Sequence, residues 1–203
     1  MILRVVSGRI PAGRLDAVRA SLERAYVPAA EAKPGLERFI VATRSAADEH
    51  EIAMMTVWAD VDSALQAYGG DLTAASTLDG IGHGETLDHV EYYEVDISEV
   101  RRRAGIPRLL RLTAGSVGQG LDADIQRMLR ERLGTIEHEA VEAYVGRRVT
   151  GNIVEIAFVS TWTEAPPNRA LDQPIWPDIS ASYDRFVVGV YDVLLHGTPG
   201  RAD

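Results

Sequence analysis

The sequence predicts an α+β protein in which one βαββαβ pattern is written twice. Three observations predict it. Short runs with period-two alternation are separated by stretches with helical apolar spacing. The two halves match each other at four places in the same order. The composition, 46% hydrophobic and 25% charged over 203 residues, is that of a chain able to bury a core.

The elements follow in order. Leu3 to Ile10 alternates as a strand, and Leu15, Val18, Leu22, Tyr26 and Ala29 then recur at helical spacing, with Pro28 near the helix end. Lys33-Pro34-Gly35 breaks the chain before a strand over Leu36 to Thr43. A polar turn at Ser45 to Glu49 leads into a strand over Glu51 to Trp58, a helix from about Val61 to Ala75, and a strand over His89 to Ile97. In the second half the helical stripe is Leu121, Ile125, Met128, Leu129 and Leu133, and Gly151-Asn152 is a natural turn between two strands. Its second helical position is shorter and carries Pro166, Pro167, Pro174 and Pro177, which break helices.

The internal match is strongest where Glu51-Ile52-Ala53-Met54-Met55-Thr56-Val57-Trp58 returns as Glu155-Ile156-Ala157-Phe158-Val159-Ser160-Thr161-Trp162 at an offset of 104. The openings correspond too: Leu3-Arg4-Val5-Val6-Ser7-Gly8 with Leu110-Arg111-Leu112-Thr113-Ala114-Gly115, then Leu15-Asp16-Ala17 with Leu121-Asp122-Ala123. Near the ends Val90, Tyr93, Glu94 and Val95 face Val188, Tyr191, Asp192 and Val193. Order is preserved while the offset drifts, as expected of a tandem duplication. The predicted boundaries are a first unit over 1–97, a linker over 98–108 and a diverged second unit over 109–203. The linker's Arg101-Arg102-Arg103, Gly105 and Pro107 suit a surface segment.

Composition removes several classes of chemistry. Without cysteine there are no disulfides, thiolate nucleophiles, cysteine-held iron–sulfur clusters or zinc–thiolate sites. Lys33 is the only lysine, so a Schiff base has a single candidate and a Walker phosphate loop has none. A formal net charge of -9 argues against nucleic acid. The N-terminus has no basic segment followed by a long apolar run, and nowhere do 18 apolar residues run together, so the expectation is a cytoplasmic protein with no membrane partner.

A βαββαβ unit builds a four-stranded antiparallel sheet with both helices on one face, leaving the other face to be covered. With the repeat, the stretch Thr56-Val57-Trp58-Ala59 leading into Asp60-Val61-Asp62-Ser63-Ala64-Leu65 resembles the dimeric α+β barrel superfamily, in its antibiotic biosynthesis monooxygenase branch. The resemblance covers about 95 residues of the first half well and the second half loosely. It implies two ferredoxin-like units packed sheet to sheet as an intrachain α+β barrel, which needs no partner chain to close and leaves monomer or homodimer open. It implies, further, a small-molecule ligand and either cofactor-independent oxygenation of an electron-rich, polyketide-like aromatic or a non-catalytic ligand-binding or stress-associated barrel. Haem-degrading members look like an Asn on the first strand and a His on the second helix; this sequence has Ser7 and no His in Tyr68 to Thr77. No metal and no other cofactor is expected.

The candidate site follows from strand alternation. Trp58 shares a face with Thr56 and Met54, and Trp162 with Ser160 and Phe158, so each strand offers an indole, a hydroxyl and an apolar wall to a flat ligand. Plain core packing is the alternative for each. Tyr26, Tyr68 and Tyr144 are candidate phenols for the same pocket, or core-edge residues with wet hydroxyls. The loop Asp79-Gly80-Ile81-Gly82-His83-Gly84-Glu85, followed by Asp88-His89, collects two imidazoles and several carboxylates and reads as a mobile pocket lid in preference to a mixed nitrogen–oxygen metal site, which is not expected. In the leading reading Trp58 stacks on substrate, Thr56 and Tyr68 orient it, and His83 is the base.

Overall fold

The computed structural model describes residues 1–73, 86–100, 105–118, 120–136, 140–165 and 177–199. Its elements are β1 (Ile2–Pro11), α1 (Leu15–Ser21), a π turn (Leu22–Tyr26), α2 (Val27–Glu31), β2 (Leu36–Ala46), β3 (Glu49–Trp58), α3 (Val61–Ala67) and β4 (Thr86–Val100). They continue with β5 (Leu109–Val117), α4 (Asp122–Ile136), β6 (Ala140–Thr150), β7 (Ile153–Trp162), α5 (Pro177–Ser180) and β8 (Tyr183–Gly197). The hydrogen-bonded strand order β1-β3-β2-β8-β5-β7-β6-β4 is that of a closed eight-stranded barrel. No described helix is long and apolar enough to cross a membrane.

The chain divides into two compact units, one of residues 1–92 with 192–203 and one of residues 93–191. In the first, β3 is central: β1 runs antiparallel along it from Ile2 opposite Trp58 to Pro11 opposite Glu49, and β2 lies on its other side. The last part of β8 then pairs with β2, Thr43 opposite Asp192 and Phe39 opposite Gly197. Gly197 is glycine for a reason, because a Cβ there would run into the Phe39 ring. In the second unit β7 is central, flanked by β5 from Leu109 opposite Trp162 and by β6. The last part of β4 pairs with β6, from Glu94 opposite Arg147 to Val100 opposite Glu142. Each unit thus completes its sheet with a strand end encoded in the other half of the sequence.

Each sheet buries its helix-side face in a core of its own. Ile2, Val6, Ile10, Phe39, Val41, Ile52, Met54 and Trp58 pack with Val18, Leu22, Tyr26 and Ala30 in the first. Val117, Ala143, Val145, Val154, Ile156, Phe158 and Trp162 pack with Ile125, Leu129 and Leu133 in the second. The other face of β1, β2 and β3 is also buried and is wholly small or aliphatic in its middle: Leu3, Val5, Ile40, Ala42, Ala53, Met55 and Val57.

Three expectations change. The first helix buries Ala30 in place of Ala29, so its core positions run 18, 22, 26, 30 in steps of four. Pro28 is the cause: it has no N–H and its ring collides with the carbonyl four residues earlier, and the π turn at Leu22–Tyr26 absorbs the misfit while slowing the rotation of the stripe. The helix predicted to reach Ala75 stops at Ala67, because Gly69 and Gly70 follow with φ of 69° and 91°. Leu121 is 47% exposed and lies before the first residue of α4. The Gly151-Asn152 turn stands as expected, with Gly151 at φ 60°. Pro166, Pro167 and Pro174 lie outside the described residues, and Pro177 opens α5.

Candidate functional site

The site in the first unit is assembled by the strand–Trp–helix junction. Asp60 caps α3, its Oδ1 accepting the Ser63 backbone N–H at 2.7 Å, and this bond holds the exposed Asp60 carboxyl below the usual carboxylate range. Tyr68 takes the C-cap position, its N–H directed at Ala64 and Leu65 carbonyls. Capping at one end and the glycine pair at the other fix the length of α3, and so place Tyr68 against Trp58, ring centroids 5.6 Å apart at 75°.

Three of the expected residues meet directly. The Trp58 indole N–H donates to Thr56 Oγ1 at 3.1 Å, and the Tyr68 hydroxyl lies 3.4 Å from the same oxygen, with either hydroxyl as donor. Trp58, Thr56 and Tyr68 are 0%, 6% and 5% exposed. Met54 is buried in the same cluster, one strand period further on. Tyr26 belongs to the cluster as well, and its ring meets Phe39 edge-on at 5.6 Å. His83 lies outside the described residues, as does the whole loop from Asp79 to Glu85.

The second unit repeats part of this arrangement. The Trp162 indole donates to Ser160 Oγ at 3.0 Å, with Phe158 beside them in the core. Tyr144 is placed elsewhere: it stands opposite Val159 in the register, on the face away from α4, and its hydroxyl donates to buried Glu142 Oε2 at 3.2 Å. It is neither wet nor near Ser160's face of the sheet.

Sequence reasoning passed over two arginines. Arg4 is the register partner of Thr56 and Arg111 that of Ser160, so each lies on the face that carries the indole–hydroxyl pair. Both are 1% exposed. Arg4 Nε donates to the Leu72 carbonyl at 3.0 Å, and its guanidinium carbon stands 3.8 Å over the centre of the Tyr68 ring. A signal was present, since Leu-Arg is identical at the opening of both halves, and an arginine inside an apolar alternating strand is itself unusual. The arrangement therefore offers a cation, a phenol, a hydroxyl and an indole within one buried cluster, a set able to orient an aromatic ring and hold a polar or negative group attached to it.

No protein-family model matches the sequence, and no curated protein does. Solved structures do. A protein from Fusobacterium nucleatum named as a candidate monooxygenase superposes with a TM-score of 0.70 at 13% identity, over 100% of this chain and 96% of its own. One from Lactobacillus acidophilus, named likewise, gives 0.68 at 12% identity, over 98% and 97%. An anthrone oxidase-like protein gives 0.60 at 13% identity, over 98% and 94%. At these identities the likeness is one of architecture: the chain has the α+β barrel fold of these solved structures.

Proposed function

We propose that the chain binds a small aromatic molecule at the Trp58 cluster and oxygenates it without a metal or flavin. The observation that carries the reading is the single Thr56 hydroxyl that ties the Trp58 indole to the Tyr68 phenol in a buried cluster. Such a cluster can stack a flat ring against the indole and hold one oxygen of it by hydrogen bonds, which is positioning and electrostatic catalysis. The chemistry then belongs to the substrate. An electron-rich phenol or anthrone loses a proton, the carbanion form of the ring adds molecular oxygen, and the hydroperoxide sheds water, so that CH₂ plus O₂ becomes C=O plus H₂O. Tyr68 and His83 are the proposed proton-handling groups, Thr56 and Trp58 the positioning groups, with Met54 and Tyr26 in the surrounding wall. Trp162, Ser160 and Phe158 form the corresponding set in the second unit. An anthrone oxidase-like protein among the structural neighbours supports the substrate class.

Oxygen uptake with anthrone and dihydroxynaphthalenes, in chelator, tests the reading. Uptake above the uncatalysed rate, falling at least tenfold in Tyr68→Phe with unfolding temperature preserved, is the expected result. Uptake unchanged in both Tyr68→Phe and Trp58→Phe overturns it. A second reading, a non-catalytic barrel, is favoured by how fully Trp58 and Met54 are enclosed by protein, and it expects no oxygen uptake with any of these substrates.

A further inference from the structure

We infer that the buried arginines are oxyanion anchors, and that each unit holds an aromatic acid or phenolate between a guanidinium and an indole–hydroxyl pair. This deepens the proposed function and rests on its placement of the ligand at the Trp58 cluster. Three observations carry it. Arg4 and Arg111 occupy equivalent register positions, opposite Thr56 and opposite Ser160. In both places the facing hydroxyl is the acceptor of the tryptophan N–H, at 3.1 and 3.0 Å. Both arginines are 1% exposed, and removing a guanidinium from water is expensive.

Most of the sequence between the halves has drifted. What stays together is a cation, a hydroxyl and an indole on one face of one strand pair. That trio matches one ligand chemistry: a ring to lie against the indole, bearing a negative oxygen for the guanidinium. A guanidinium has five donors in a planar fork, enough to keep its protein contacts and receive a carboxylate or phenolate as well. Arg4 is already held in place, its Nε on the Leu72 carbonyl and its guanidinium carbon over the Tyr68 ring. The same cation favours the ionised form of a phenol, the form that reacts with oxygen, which joins substrate choice to reactivity.

The test is calorimetric titration of the full chain with 2-naphthoate against its neutral isostere 2-naphthalenemethanol, and spectroscopic titration with 2-naphthol, whose naphtholate absorbs at longer wavelength than the neutral form. The expected result is two naphthoate equivalents per chain, at least tenfold preference for naphthoate over the alcohol, and a naphtholate band at a pH where free naphthol is neutral. Arg4→Gln and Arg111→Gln each remove one equivalent, and Arg4→Lys restores part of the preference with weaker affinity. If Arg4→Gln fails to fold, Arg4→Lys and Arg111→Gln still decide between the outcomes. No preference for the anion, or a preference untouched by all three substitutions, overturns the inference. Anion binding without oxygen uptake sinks the monooxygenase reading alone; uptake without anion preference sinks only the anchor. A carboxylate-only response identifies aromatic acids as the ligand, and a naphtholate band identifies phenols.

Discussion

Replacing Thr56 by valine keeps its shape and removes the one oxygen that the Trp58 N–H reaches. The indole is fully buried and Thr56 nearly so, so in the unliganded chain the N–H depends on that oxygen. The loss has two parts. A hydrogen bond of ordinary geometry is worth about 1 kcal/mol net, and the donor left unsatisfied adds desolvation, giving about 2 kcal/mol in all. For a chain of this size each kcal/mol lowers the unfolding midpoint by about 3 °C, so Thr56→Val is expected to unfold about 6 °C early. Thr56→Ser is the control, because it keeps the acceptor and deletes only a methyl, at about 1 kcal/mol or less. The second unit already uses serine at the corresponding position, where Ser160 accepts from Trp162 at 3.0 Å. Scanning calorimetry on both variants gives the comparison. If Thr56→Val is as stable as Thr56→Ser, the hydroxyl contributes no net hydrogen bond and the site is held by packing alone.

Other consequences can be checked directly. A Cβ on Gly115 would collide with the Arg185 carbonyl and the Tyr183 ring, so Gly115→Ala is expected to cost about 3 kcal/mol, read as a lowered denaturant midpoint, whereas Gly13→Ala, with open space around it, costs far less. His196 sits opposite Ile40 where β8 meets β2, and partial burial, then the Arg38 charge, lower its pKa from the ordinary value of 6.5. A lowered histidine pKa means the unfolded chain binds the proton more readily. His196 should therefore leave stability intact above pH about 6.5 and withdraw it as the pH falls toward the lowered value. His196→Gln should flatten that segment of the stability–pH curve, and an unchanged curve would remove His196 as its source.

Much of this architecture is written in alternation. Ile52, Met54, Thr56 and Trp58 fall on one face because strand side chains alternate, and the structure joins Trp58 to Thr56 on that face. The π turn was hidden because a one-residue slip in helical phase leaves the apolar spacing nearly unchanged up to Tyr26 and only then moves the stripe from Ala29 to Ala30. The early end of α3 was legible in Gly69-Gly70, and the pull of helical spacing beyond them misled. Arg4 and Arg111 were hidden by their charge: a cation in a strand is ordinarily assigned to water, and only the register opposite Thr56 and Ser160 shows otherwise. Which strand covers β2 could not be read at all, since apolar alternation says which face is buried and nothing about which neighbour supplies the hydrogen bonds.

β2 is synthesised well before the strand that covers its edge, from Asp192 to Gly197. Until then the N–H and C=O groups on that edge between Phe39 and Thr43 stay open, a template for pairing with another chain. Such a late, long-range closure makes folding slow relative to a domain whose contacts are local. A chain cut just before Asp192 would therefore uncover β2, and the damage would appear far along the sequence from the lesion.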